Sequence, residues 1–294
     1  MADTKVPVLT FNNGLTMPQL GYGTWKSKPE EVTEAVKMAI DAGYRHIDCA
    51  YCYGNEKEVG AGIKAKIDDG TVKREDLFIT GKLWNTFHRR ELVDEACQLS
   101  LDDLGLEYLD LYLIHWPYGY KEGHFRFPKD ENGKFIYSDG SYVDTYKGME
   151  DLVDSGKVKS IGISNFNHQQ LQEIVDAARI KPASHQIEHH PYLKQDKLLA
   201  YCKERDITVT AHGSIGSRDR PWVTDNKEEH PNILEDPKVL AVAEKHGKTP
   251  AQVFDFELTA EDMSELNSFP DKRYRGVELA WIGDHPLYPF HLEF

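Results

Sequence analysis

The chain has 294 residues and a mass of 33.6 kDa, a length that suits one large domain or two small ones. Hydrophobic residues make up 40% of the sequence and charged residues 29%, which is typical of a globular protein and excludes a disordered chain. The formal net charge of −14 argues against nucleic-acid binding, because a phosphate backbone would be repelled.

The termini and cysteines bear on the compartment. The N-terminal sequence MADTKVPVLT has neither the basic flank nor the apolar run of a signal peptide, and no segment approaches the roughly 20 apolar residues that span a bilayer. We therefore expect a cytoplasmic protein that does not bind a membrane. Cys49 and Cys52 form a C-x-x-C pair, but no second pair completes a zinc site, so we expect reduced thiols and no metal.

The first predicted element is a β-hairpin over residues 7–18, where Asn13-Gly14 suits a two-residue turn. From Leu20 onward, short apolar runs alternate with segments of helical periodicity, which is a βαβα pattern. Seven runs predict parallel strands: LGYGTW, RHIDCA, LFITGK, DLYLIHW, VKSIGISN, ASHQIE and ITVTAH.

Four intervening segments predict helices: PEEVTEAVKMAIDAG, RRELVDEACQLSLDDLG, NHQQLQEIVDAAR and QDKLLAYCKER. The first two end on Gly43 and Gly105, as helices prefer. Regular alternation with short connections favours a (β/α) barrel or a doubly wound sheet. No linker composition marks a boundary, so we interpret residues 1–294 as a single domain.

Two short motifs invite a functional interpretation that their context does not favour. Residues 60–65 fit the dinucleotide-binding pattern G-x-G-x-x-A, but they lie inside the helical segment NEKEVGAGIKAKI rather than at a strand-to-helix turn. His185 and His189 have the spacing of a helical metal pair, but on a strand residues four apart are separated by about 13 Å. We expect neither motif to bind a ligand.

Two longer segments lack a regular pattern. Residues 117–141 follow a predicted strand at its C-terminal end, where barrel enzymes place their binding loops, so we expect a substrate loop there, with a plain surface excursion as the alternative. Residues 270–294 form the second, a C-terminal loop.

Three ionisable residues lie at the ends of successive predicted strands, Asp48, Lys82 and His115, and a fourth, Tyr53, lies in the loop that follows Asp48. Parallel strands in a barrel all point the same way, so these side chains are expected to converge on one mouth. Lys82 would favour the phenolate of Tyr53 and lower the pKa of this proton donor, while Asp48 would keep Lys82 charged. His115 would orient a carbonyl oxygen beside the phenol. Each residue alone also has a purely structural explanation, such as a surface ion pair.

The words GYGTW, YRHIDCAYCYGNEKEVG, LFITGKLWN, LDLYLIHWP, VKSIGISNFN and QIEHHPYL resemble the motifs of the aldo-keto reductase family. The resemblance extends from the hairpin to the C-terminal YPFHLEF and includes the spacings between the four ionisable residues. It implies a (β/α)8 TIM barrel with an N-terminal hairpin, NADPH as the usual hydride source, Tyr53 as proton donor, and reduction of an aldehyde or ketone to an alcohol.

The resemblance also implies residue roles, carried over position by position. Cofactor contacts would come from Gly23, Thr24, Trp25, Asp48, Ser164, Asn165, Gln186, His212, Gly213, Ser214, Ile215, Gly216 and Ser217. Substrate contacts would come from Trp25, Tyr53, Trp84, His115, Trp116, Phe127 and Trp222. The aromatic members imply a carbonyl compound with a hydrophobic body, although the same side chains also suit a packed core.

One departure from the family pattern concerns a single residue. His212 in AHGSIGS stands where the family has a tyrosine that stacks on the nicotinamide. An imidazole offers a smaller stacking face, and a protonated one would repel the oxidised ring. We therefore expect weaker cofactor binding.

A larger departure is an absence. KHGKTPAQV continues directly into FDFELTAEDM between Val253 and Phe254, whereas the family pattern and the strand count of a complete barrel place roughly 28 more residues there. The lost segment would hold the eighth strand and the Lys, Ser and Arg that bind the adenosine 2′-phosphate, so NADH becomes possible beside NADPH. A barrel of seven strands must strain to close or leave two strand edges unpaired.

Two functions remain open from the sequence. The first is an NAD(P)H-dependent reductase with reduced or altered cofactor affinity; steroid, sugar, lipid aldehyde and xenobiotic substrates all suit an aromatic pocket. The second is a binding or regulatory protein that is catalytically impaired because its cofactor site is incomplete. We expect a monomer, with dimerisation through unpaired strand edges as the alternative. In the surviving tail, Thr259 and Asp262 predict the start of a helix.

Overall fold

The structure is a computed structural model that describes residues 6–217, 220, 231–252, 257–269, 274–277 and 279–292. Both sides of the Val253–Phe254 junction, and Trp222, lie outside the described residues.

The chain opens with the predicted hairpin, formed by β1 (Val8–Thr10) and β2 (Thr16–Pro18) in antiparallel register. Its turn differs from the prediction. Gly14 has a positive φ of 83° as expected, but Phe11 N–H donates to Leu15 O and Gly14 N–H donates to Phe11 O. These bonds close a three-residue loop in which glycine takes the left-handed position, so the predicted two-residue turn is wrong.

Seven parallel strands follow in one sheet, and they confirm the seven predicted runs. They are β3 (Gly21–Gly23), β4 (His46–Asp48), β5 (Phe78–Leu83), β6 (Leu109–Ile114), β7 (Val158–Ser164), β8 (Ser184–Glu188) and β9 (Thr208–His212). Their spatial order equals their chain order, as successive right-handed βαβ crossovers in a barrel produce. All residues of β5 and β6 are buried, because both faces of such strands are covered.

Each strand from β3 to β8 is joined to the next by a helix. These helices are α1 (Pro29–Asp41), α2 (Glu56–Asp68), α3 (Val93–Leu104), α4 (Tyr142–Asp154), α5 (His168–Ala177) and α6 (Asp196–Glu204). Two more, α7 (Pro237–Lys245) and α8 (Ala260–Asn267), follow β9. Gly105 ends α3 in the left-handed conformation, as predicted. Thr259 and Asp262 form the reciprocal cap of α8, which confirms the predicted helix start in the tail.

The pattern G-x-G-x-x-A lies inside α2, as its helical context predicts. A Cβ on Gly60 would lie 2.4 Å from Leu104 O, and one on Gly62 would lie 2.8 Å from Thr33 O. The two glycines therefore let α2 approach its neighbours α3 and α1 closely, which accounts for them without a nucleotide.

The sheet has two open ends within the described part of the chain. Its order runs from β3 to β9, with seven strands where a complete barrel of this type has eight. The architecture is thus of the α/β (β/α)8 type with the eighth strand missing, as the strand count of the sequence indicates.

The hairpin packs across the N-terminal ends of the strands. Phe11 and Met17 pack against Phe78, Leu111 and Leu113 in a buried cluster, and Asn13 Nδ2 donates to Ser160 Oγ at 2.9 Å. At the C-terminal ends of the strands, a cleft opens to solvent.

Candidate active site

The four predicted ionisable residues meet at the C-terminal ends of β4, β5 and β6. Lys82 Nζ donates to Asp48 Oδ1, to Cys49 O at 3.1 Å and to Tyr53 OH at 3.3 Å. The ring centroids of Tyr53 and His115 are 5.8 Å apart. The structure therefore brings together all four side chains that the sequence singled out.

Lys82 is charged although its side chain is fully buried. Burial alone would lower its pKa, but the Asp48 carboxylate and the Tyr53 hydroxyl outweigh this and hold the pKa above its ordinary value. The backbone carbonyl of Cys49 accepts a further bond from the ammonium group. Lys82 is thus a fixed positive charge directly beside a phenol.

Tyr53 departs from the expectation drawn from sequence. Burial raises the pKa of Tyr53 above its ordinary value, and the opposing effect of Lys82 is smaller. The expectation that Lys82 brings the phenol below its free pKa is therefore wrong for the cleft as described, because desolvation of a phenolate costs more than one partly neutralised lysine returns. Tyr53 holds its proton at neutral pH, as a proton donor must.

His115 follows β6, and its ring is a neutral imidazole. Burial lowers its pKa well below the ordinary value, and the charge of Lys82 lowers it further. Its backbone is fixed by two bonds: His115 N–H donates to Leu83 O at 3.2 Å, and Asn165 Nδ2 donates to His115 O at 3.0 Å.

Three predicted cofactor residues lie on the neighbouring strand ends of β7 and β8. Gln186 Nε2 donates to Asp48 Oδ2 at 2.8 Å, and Asn165 Nδ2 donates to Ser164 Oγ at 3.1 Å. Asn165 has a φ of 63°, in the left-handed region that asparagine adopts more readily than most non-glycine residues. Within the described residues no group donates to Gln186 Oε1, so this acceptor is available to a ligand.

His212, at the end of β9, also lies in the cleft. Burial lowers the pKa of His212 to about 4, so the ring is neutral at physiological pH. The prediction that a protonated His212 could repel an oxidised nicotinamide is therefore wrong. Its Nε2 lies 3.4 Å from Asn165 Oδ1.

The predicted loop of residues 213–217 contributes unequally. Gly213 and Ser217 line the cleft, whereas Ser214 and Ile215 are exposed and Gly216 packs near Ile233. Of the other predicted cofactor residues, Gly23 and Trp25 line the cleft. Thr24 is fully buried and donates through Oγ1 to Asp48 O at 3.1 Å.

The cleft has a volume of about 470 Å³. Its walls include the predicted Trp, Phe and Tyr side chains that the structure describes: Trp25, Tyr53, Trp84, Trp116 and Phe127. Trp84 packs edge-on against both His115 and Phe127, with centroid separations of 5.4 Å in each case. A predominantly aromatic wall beside a few polar groups is typical of a small-molecule site. The role predicted for Trp222 falls outside the described residues.

Several lining residues were missed by the sequence analysis: Lys26, Cys52, Tyr120, Glu188, Arg220, Val277, Leu279 and Trp281. Cys52 and Lys26 adjoin predicted site residues, and Tyr120 lies in the predicted substrate loop, so adjacency was an available signal. The last three belong to the C-terminal segment, and no local pattern placed that segment on the cleft.

Glu188 explains how the C-terminal segment reaches the cleft. Its carboxylate accepts hydrogen bonds from Gly276 N–H at 2.7 Å and Val277 N–H at 2.9 Å, and it lies 3.4 Å from the Arg220 guanidinium. Burial alone would raise its pKa, but the hydrogen bond with His190 and the other contacts hold it at about 2. Glu188 is therefore an anionic anchor for the segment.

His185, which with His189 has the spacing of a metal-binding pair, has a structural role. His185 lies on β8, fully buried, where its Nε2 accepts a hydrogen bond from Phe166 N–H at 3.1 Å. Across the described ranges, no three His, Cys, Asp or Glu side chains are grouped to hold a metal ion. In the same ranges no helix is long and apolar enough to cross a membrane.

Comparisons with known proteins agree with this geometry. The sequence model of the Aldo/keto reductase family matches residues 17–269. The chain is 45% identical to rat aldo-keto reductase family 1 member C15 over 318 positions, covering 97% of each protein. It is 42% identical to human aldo-keto reductase family 1 member A1 over 319 positions, covering 96% of this chain and 97% of the relative.

Similarity extends to a solved structure. The aldose reductase from Schistosoma japonicum superposes with a TM-score of 0.89 at 42% identity, covering 98% of this chain and 100% of that one. Both sequence alignments are longer than the 294 residues of this chain, so these relatives contain residues without a counterpart here; their placement between Val253 and Phe254 stays a prediction. On the family match, these identities and the shared fold, the chain belongs to the aldo/keto reductase family.

Proposed function

We propose that this protein reduces aldehydes or ketones to alcohols with a reduced nicotinamide cofactor, with Tyr53 as the proton donor. The observation that carries the proposal is the bonding of Lys82 Nζ to both Asp48 and the Tyr53 hydroxyl at the base of an aromatic cleft. A protonated phenol beside a fixed positive charge is suited to giving up a proton to a developing alkoxide.

The donor set of the cleft fits the nicotinamide end of such a cofactor. A carboxamide needs one hydrogen-bond donor and one acceptor, and the Ser164 hydroxyl and Gln186 Oε1 supply these on adjacent strand ends. Gly213 and Ser217 also line the cleft, and backbone N–H groups of such a loop would suit phosphate oxygens. When bound, the cofactor supplies a hydride to the carbonyl carbon of the substrate.

Residues of this chain would orient and protonate the carbonyl oxygen of the substrate. The neutral His115 ring and the Tyr53 hydroxyl orient the carbonyl oxygen, and Tyr53 then transfers its proton to that oxygen as negative charge develops there. The Lys82 ammonium stabilises the resulting phenolate, and Asp48 keeps Lys82 in place through its carboxylate. Trp84 and Phe127 would pack against the hydrophobic body of the substrate and exclude water.

The preference between NADPH and NADH depends on the far end of the cofactor. We propose NADPH, as the family resemblance implies, with NADH as a second possibility because the segment expected to hold the 2′-phosphate is missing from the sequence. Binding or regulation without turnover is the second candidate function. It is favoured by the open sheet ends at β3 and β9, since a strained or unclosed site would hold the cofactor less well.

Cofactor titration separates these two candidates. The chain has five tryptophans, and Trp25, Trp84 and Trp116 line the cleft, so we expect NADPH to quench tryptophan fluorescence with micromolar affinity. Oxidation of NADPH on addition of an aromatic aldehyde, followed by absorbance, then measures turnover. A folded sample that binds neither NADPH nor NADH would contradict the proposed reductase and support the binding or regulatory role.

A further inference from the structure

Cys52 makes a polar contact with His115 in the cleft. Cys52 lies in the 3-10 helix Tyr51–Tyr53 and lines the cleft beside the proposed proton donor. Its Sγ is 3.6 Å from His115 Nδ1, within the range of a sulfur hydrogen bond. No other described residue forms a hydrogen bond with the His115 ring, so this thiol is the polar contact that can decide where the ring carries its proton.

The direction of this hydrogen bond follows from the chemistry of its two partners. Burial raises the pKa of the Cys52 thiol, so it keeps its proton, and burial lowers the pKa of His115, so the imidazole is neutral. An imidazole nitrogen is a good acceptor, whereas sulfur is a weak one. The thiol therefore donates and Nδ1 accepts. Since a neutral imidazole has a single ring proton, that proton lies on Nε2.

We propose that Cys52 is a positioning residue that holds His115 as the Nε2–H tautomer, so that the ring presents a hydrogen-bond donor to the oxygen of a carbonyl substrate. In the other tautomer the bare Nε2 would direct a lone pair at that oxygen and repel it. The role in turnover rests on the proposed reductase function, whereas the tautomer itself does not.

The tautomer can be measured without turnover. Nitrogen-15 NMR distinguishes protonated from unprotonated imidazole nitrogens, and the His115→Asn variant identifies the His115 signals among the 13 histidines. We expect an unprotonated Nδ1 and a protonated Nε2 in the parent protein and in Cys52→Ser, which retains a donor. We expect Cys52→Ala to show a mixture of tautomers. A parent ring protonated on Nδ1, or an Ala variant with unchanged signals, overturns the proposal.

Kinetics provide the second measurement. Loss of one neutral hydrogen bond should lower kcat/KM for an aromatic aldehyde about three- to tenfold in Cys52→Ala, with NADPH affinity unchanged and with Cys52→Ser close to the parent. Equal losses in the Ala and Ser variants would contradict the role in catalysis, because volume rather than hydrogen bonding would then explain them. An inactive parent with the expected NMR signals would instead contradict the reductase function and leave the tautomer assignment intact.

Discussion

The two sides of the cleft are assembled in different ways. On the tetrad side, Asp48, Tyr53, Lys82 and His115 all lie within one continuous stretch of three βα units. On the opposite side, which we call the clasp side, Glu188 at the end of β8 holds the backbone of residues 276–277, which are 88 and 89 positions away in sequence. One side is built from paired strands, whereas on the other a buried carboxylate anchors a loop that is distant in sequence.

The precision of the tetrad side originates in its strand pairing. The pairing of β4 with β5 aligns Asp48 with Thr80, and the pairing of β5 with β6 aligns Lys82 with Leu113. These ladders are buried on both faces, so their register cannot slip without moving core residues to the wrong face. The clasp side has no such ladder over residues 274–277, and we expect it to tolerate change in geometry and to be the softer half.

Substitution of Tyr53 tests whether the tetrad side carries the chemistry. Tyr53→Phe removes the proposed proton donor and should lower kcat/KM for an aromatic aldehyde about 10³-fold. NADPH affinity, measured by tryptophan quenching, should stay within about twofold of the parent because the phenol is not proposed to bind the cofactor. Near-normal turnover in this variant would show that the proton comes from elsewhere.

Lys82→Met tests how much the buried ion pair of the tetrad side contributes to the stability of the protein. The substitution leaves Asp48 without its ammonium partner in a largely buried site, so we expect the free energy of unfolding to fall by about 3 kcal/mol, measured by urea denaturation. Lys64→Met is the matched control, because Lys64 pairs with Asp68 on an exposed face of α2, where ion pairs contribute little. Equal stability of the two variants would mean that the buried pair does not hold the tetrad side together.

What the sequence predicted follows the same division. Strand ends carrying Asp48, Lys82 and His115 are visible as polar residues that close apolar runs, and parallel strands bring such ends together whatever the loops do. Tyr53 lies in the short segment after β4, so it could be predicted to reach the same site once that segment turns over the end of the sheet. The seven strands and the helix caps at Gly105 and Thr259 were predictable for the same reason, since they depend on local periodicity and capping.

The misses arise from interactions that local patterns do not encode. The hairpin loop at Gly14 is one residue longer than predicted. The side chains of Asn12 and Asn13 donate hydrogen bonds to Pro182 O and Ser160 Oγ, distant contacts that favour the longer loop. The net pKa direction of Tyr53 depends on how much water the surrounding side chains exclude. The anchoring by Glu188 joins residues that no periodicity links, so its role became apparent only in three dimensions.

A third prediction concerns a buried carboxyl group on α2, the helix that follows Tyr53. Glu56, at the start of α2, is buried and accepts a hydrogen bond from Ser100 Oγ at 3.0 Å, and burial raises the pKa of this carboxyl to about 7. Because the pKa is higher in the folded state than the ordinary 4.5, ionisation penalises the fold. Stability on this account is full below pH 4.5 and decreases as pH rises through 7.

Glu56→Gln should remove that penalty while keeping an acceptor for Ser100. We expect this variant to be more stable than the parent by roughly 2 kcal/mol at about pH 8.5 and nearly equal to it at about pH 4, measured by urea denaturation at both. Glu58→Gln, on the same helix and more exposed, serves as the control for replacing a glutamate of α2 by glutamine. A gap between Glu56→Gln and the parent that is constant with pH would exclude ionisation as its cause.

The smallest expected effect tests the clasp side itself. Glu188→Gln keeps one carbonyl oxygen but places an amide group against the N–H of Gly276 or Val277, so one backbone donor loses its acceptor. Loss of one charge-assisted bond should raise KM for a bulky aromatic aldehyde about tenfold, because Leu279 and Trp281 would no longer be held at the cleft wall. For a small aliphatic aldehyde, which would not reach that wall, both kcat and KM should change less than about twofold. If kcat fell equally for both substrates, Glu188 would be acting on the tetrad, and the two sides of the cleft would be one mechanical unit rather than two.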